Sequence, residues 1–90
     1  MKETVDPKSY GLPPRTVLMK TGPKEFIIII NRKSRIIMKD ALIILKKIEK
    51  INEKVPNDLV ALETNAPVCS KSIRFLKENN VKVLKIDNLL

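Results

Sequence analysis

A chain of 90 residues with 18 Lys and Arg against 10 Asp and Glu, formal net charge +8, has room for one hydrophobic core and points to an acidic partner, nucleic acid or an anionic surface. One cysteine and no histidine exclude an internal disulfide, a transition-metal site of the usual kind and a thiol activated by an imidazole base. The only two glycines, Gly11 and Gly22, form neither a Walker-type loop nor a dinucleotide fingerprint, so no enzyme activity, metal or cofactor is expected.

Residues 1–14 hold Asp6-Pro7, Gly11 and Pro13-Pro14, which forbid a helix, and they read as an extended N-terminal arm ahead of a single α/β domain at 15–90. Tyr10 lies in this arm near Lys8 and Arg15, a combination able to stack on a base or follow a phosphate backbone. The weak alternation of 16–20, the turn Thr21-Gly22-Pro23-Lys24 and the run 25–30 read as a β-hairpin. Four consecutive isoleucines, 27–30, predict a second strand covered on both faces.

The basic cluster Asn31-Arg32-Lys33-Ser34-Arg35 follows that strand. A helix is expected from about Ser34, which can act as its cap, to Asn52, because Ile37, Ala41, Ile44, Ile48 and Ile51 recur at helical spacing. Lys39, Lys46, Lys47 and Lys50 fall on its outer face. After the connection 52–58, a strand at 59–63 runs into Thr64-Asn65-Ala66-Pro67, where Thr64 or Asn65 can cap a second helix over 68–79 and Pro67 can occupy its first turn. Cys69, Ile73 and Leu76 are expected inward, with Lys71, Arg74 and Lys77 outward. Cys69 reads as a small apolar core residue. Asn79-Asn80 stops the helix, and the alternation of Val81, Val83 and Ile86 gives a last strand.

The expected order is thus β-β-α-β-α-β, a small α/β sandwich of two or three layers with a mainly parallel core sheet. Successive right-handed crossovers bring both strand-to-helix junctions to one edge of such a sheet, where ligands of open α/β folds bind. A helix start carries unpaired N–H groups and partial positive charge, so cations placed there cost stability unless an anion such as a phosphate is bound. Asn31, Arg32, Lys33, Arg35, Asn65, Lys71 and Arg74 are therefore the candidate nucleic-acid contacts: Arg and Lys for phosphate, Asn for base or sugar edges, with RNA favoured over DNA.

Leu59-Val60-Ala61-Leu62-Glu63-Thr64-Asn65-Ala66-Pro67, then a helix and Asn80-Val81-Lys82-Val83, resembles a segment of the archaeal and eukaryotic ribosomal proteins of the kink-turn-binding superfamily. The resemblance covers about the last third of the chain and implies an archaeal or ribosomal setting and an α/β/α sandwich that grips RNA with loops at one sheet edge. Where that superfamily has a Gly-x-Asn-Glu turn, this chain has Ile30-Asn31-Arg32-Lys33, with Asn31 the matching residue. The order strand, basic turn, helix, strand and the pair Ser70-Lys71 is also similar to the Alba family of archaeal chromatin and RNA-binding proteins, which continue into a terminal hairpin not seen here.

These features are those expected of a small basic RNA-binding protein, with the ribosome as one expected setting, in a reducing cytoplasm and without a membrane span. The alternative is a non-catalytic accessory subunit of a replication or transcription complex, contacting its partners through the arm and an apolar sheet face. A homodimer is compatible with either.

Overall fold

The computed structural model describes residues 3–86: a five-stranded sheet with two helices. Strand β1 (Glu3–Val5) and a 3-10 turn at Pro7–Tyr10 lead into the hairpin of β2 (Val17–Gly22) and β3 (Glu25–Ile30). Helix α1 (Met38–Lys54), strand β4 (Leu59–Thr64), helix α2 (Ser70–Glu78) and strand β5 (Val83–Lys85) complete the chain order. The strands lie side by side in that same order, β1-β2-β3-β4-β5. The pairs β1–β2 and β2–β3 are antiparallel, whereas β3–β4 and β4–β5 are parallel.

This corrects the expected fold. The order is β-β-β-α-β-α-β and the sheet is mixed, not mainly parallel. The extra strand comes from the segment read as a free arm: Glu3, Thr4 and Val5 pair with Lys20, Met19 and Leu18. Its prolines fall after the strand, in turn and loop, where the missing N–H costs no ladder bond.

The segment between β1 and β2 also belongs to the folded body. Leu12 is only 4% exposed and joins the core. The Tyr10 ring meets Phe26 edge-on, with centroids 5.5 Å apart and planes at 70°. Gly11, in the left-handed conformation at φ 74°, ends the 3-10 turn, and its carbonyl accepts a bond from Lys50 Nζ of α1 at 3.3 Å. Tyr10 therefore packs inward instead of extending toward a partner.

Alternation along the strands divides the sheet into two unlike faces. Leu18, Phe26, Ile28, Val60 and Leu62 share one face and form a single core with Ala41, Ile44, Ile48 and Ile51 of α1 and Leu76 of α2. Both helices cover that face, because two right-handed crossovers stepping in the same direction stay on one side. The opposite face presents Val17, Met19, Ile27, Ile29, Ala61 and Leu84 with no layer over it among the described residues. The expectation that the isoleucine strand is covered on both faces is thereby corrected. An unbroken apolar run reports apolar character on both sides but not what lies there.

Candidate nucleic-acid interface

Residues 31–37 and 65–69 connect the carboxyl ends of β3 and β4 to their helices, and they close on each other. Ile36 and Val68 form a parallel β-bridge beyond the ends of the two strands. Ile36 N–H donates to the Pro67 carbonyl at 2.8 Å, and Cys69 N–H donates to the Ile36 carbonyl at 3.0 Å. Side chains extend the stitching. Asn65 Oδ1 accepts the Arg32 backbone N–H at 3.0 Å, while Asn65 Nδ2 donates to Asn31 Oδ1 at 2.7 Å. Beneath them, buried Thr64 Oγ1 donates to the Ile30 carbonyl at 2.7 Å and accepts the Ala66 N–H at 3.0 Å.

The two junctions are built alike. Ile36-Ile37-Met38-Lys39-Asp40 and Val68-Cys69-Ser70-Lys71-Ser72 each supply a bridging residue, an N-cap, a lysine at the second helical position and a polar residue at the third. In the first, Asp40 Oδ2 reaches back to accept the Ile37 N–H at 3.0 Å, half of a capping box. In the second, Cys69 is the cap: its sulfur accepts the Ser72 N–H at 3.4 Å and lies 2.9 Å from Ser72 Oγ.

The helices therefore start later than the expected 34 and 68. Ser34 is exposed in the loop and does not cap, and Asn65 links loops instead of capping α2. Pro67 also stays in the loop. The late start of α1 has a sequence sign, an acid at its third helical position, which is easily misread as a mere interruption of the apolar run.

The candidate cations take different places. Arg32 is turned back into its own loop: its guanidinium donates to the Ser34 and Arg35 carbonyls at 3.2 and 3.1 Å and pairs with Asp40 Oδ2 at 2.7 Å. It orders the loop, and its donors are largely used there. Lys33 and Arg35 are exposed on the 31–37 loop, Lys39 and Lys71 are exposed in the first turns of their helices, and Asn31 is exposed beside them. Lys39, assigned by sequence to the outer helix face, thus belongs to the junction. Arg74 lies on the exposed face of α2, three residues past Lys71.

Two groups here have altered acidity. The Ile37 N–H bond, together with the weaker influence of the Arg32 guanidinium, holds the Asp40 carboxyl below its ordinary value. Hydrogen bonds from the Ser72 hydroxyl and N–H, aided more weakly by the charge of Arg35, lower the Cys69 thiol. Among the described residues no His, Cys, Asp or Glu group is arranged to hold a metal ion. No helix of the described residues is long and apolar enough to cross a membrane.

The chain matches no protein-family model, no curated protein and no solved structure.

Proposed function

We propose that the protein binds nucleic acid, RNA ahead of DNA, through the edge formed by 31–37 and 65–71. The observation that carries this reading is the mutual pinning of the two loops. It holds Lys33, Arg35, Lys39, Lys71 and two helix starts on one edge of a chain with net charge +8. Phosphate oxygens suit such an edge, since they take charge-assisted bonds from Lys and Arg and meet the positive ends of both helix dipoles. Asn65 has both ends of its amide engaged, so base or sugar reading falls to Asn31, whose Nδ2 is free among the described residues. Loops at a sheet edge suit unstacked bases, which is why RNA comes first. Arg32 acts here as a positioning residue, not as a phosphate contact.

Fluorescence anisotropy with a labelled single-stranded RNA and the DNA of the same sequence, each across a salt series, tests the reading. Tighter binding of RNA is expected, weakening with salt at a slope of about −0.7 per phosphate contact. Replacing Lys33, Arg35 and Lys71 together by Ala is expected to lower affinity at least tenfold and flatten that slope. Unchanged binding by the triple variant would remove the edge as the site.

A further inference from the structure

We propose that a second copy of this chain covers the open face of the sheet, giving a face-to-face dimer with the helices outside. Glu25 and Glu63 apart, the strand residues on this face are mainly apolar, where the alternation of a sheet with one solvated face would place polar ones. Val17, Met19, Ile27, Ile29, Ala61, Leu59 and Leu84 point to it, and Val17, Leu59 and Leu84 are 49, 60 and 36% exposed. Ile27 is 4% exposed yet stands outside the helix-side core, so it is already screened by its neighbours at the centre of this second apolar surface. An open depression of about 610 Å³, lined in part by Ile27, Leu59, Ala61 and Leu84, marks the end of the face near the starts of β3 and β4.

Shape and charge favour a second sheet as the occupant. The exposed apolar residues sit toward the margins, from Val17 on β2 to Leu84 on β5, three strand spacings apart, or about 14 Å. A single helix about 10 Å across would leave one margin wet, whereas a sheet of the same width covers both. With three residues in β1 and β5 and six in β2, β3 and β4, a spacing of about 4.8 Å and a rise of about 3.3 Å give a face of roughly 380 Å², so two faces bury roughly 760 Å², below the roughly 1,000 Å² of a stable specific interface and in the range of weak contacts. This predicts a weak, concentration-dependent dimer. The net charge does not forbid it. The charges at this face are mixed in sign: Glu25 and Glu63 point to it from the strands, Lys77 and Lys82 line the depression at its end, and the basic loop residues lie at one edge. Two such sheets stacked about 10 Å apart keep their helix layers beyond the roughly 8 Å screening length at physiological salt.

Sedimentation equilibrium of the full chain over a wide concentration range, at low and high salt, is the test. A monomer–dimer equilibrium is expected whose dimer fraction rises with salt, opposite to the salt response of nucleic-acid binding, so failure of one reading is distinguishable from failure of the other. Leu59→Lys with Leu84→Lys is expected to leave monomer at every concentration, with an unchanged thermal midpoint because both side chains are already exposed. Ile43→Lys on the outer face of α1, 48% exposed in the folded chain, is expected to leave the dimer intact. Monomer at all concentrations overturns the proposal. So does a dimer that survives the double substitution, or one abolished by Ile43→Lys.

Discussion

Asn65 bonds to the backbone N–H of Arg32 and to the side chain of Asn31 at once, spanning 33 and 34 residues of sequence. A short amide side chain thereby holds two βα loops in fixed register at the basic edge. Asn65→Ala is expected to cost about 1 kcal/mol of stability, the size of a typical hydrogen-bond loss. It should also weaken RNA binding although it removes no charge. Denaturant unfolding and anisotropy on the same variant check both effects, and undiminished binding would show that loop register is irrelevant to recognition.

Asp40 ties the start of α1 to Arg32. Asp40→Ala is expected to cost about 1 kcal/mol, as for loss of a helix cap. The part-exposed ion pair itself adds less than that. Because the folded carboxyl has the lowered pKa, this stability is complete above the unfolded value, near pH 4, and is lost as pH falls through the lower folded value. Urea midpoints of wild type and variant should therefore converge in strong acid.

Cys69 is held in its cap by Ser72. Its alkylation by iodoacetamide should reach half-maximal rate at a lower pH than that of an unstructured cysteine, since the thiolate is the reacting form. Ser72→Ala removes the hydroxyl and leaves the N–H, so the rate profile should move back toward higher pH. Cys69→Ser keeps an acceptor at the cap and is expected to fold with nearly unchanged stability. A rate profile indistinguishable from that of a free thiol would refute the hydrogen-bonded geometry.

Leu12 tests the incorporation of the N-terminal segment. Leu12→Ala is expected to destabilise the chain by about 2 kcal/mol, the low end for a buried leucine. An effect near zero would mean that residues 3–12 do not pack as described.

Wherever a local pattern decided the structure, the amino-acid sequence revealed it. Ala41, Ile44, Ile48 and Ile51 are buried as their spacing requires, whereas Ile37, read as part of the same series, is the cap of α1 and is 48% exposed. The turn at 21–24 closes the hairpin, and Asn80, at φ 64°, lies just past the end of α2 in the left-handed conformation. β1 was hidden because three ordinary residues become a strand only by pairing with β2, across a turn and a proline loop. At the edge, the meeting of the two junctions is a consequence of strand order, but the inward turn of Arg32 and the double use of Asn65 depend on partners distant in sequence or on loop shape. Ile73, expected inward, is 42% exposed, and Ser72 takes the inner position beside Cys69. Leu76 keeps its inner place, so the exchange is between two neighbours flanking the same inward stripe, and Ser72, one turn before Leu76, is the one that lies on it.

Both margins of the sheet are three-residue strands, β1 and β5, among the described residues. A ladder so brief offers a neighbouring chain few backbone partners, and Glu3, Lys82 and Lys85 add charge at those rims. Runaway strand-by-strand polymerisation, the hazard of any open sheet rich in isoleucine, is thereby discouraged at both sides. An association through the broad apolar surface instead closes on itself after two molecules.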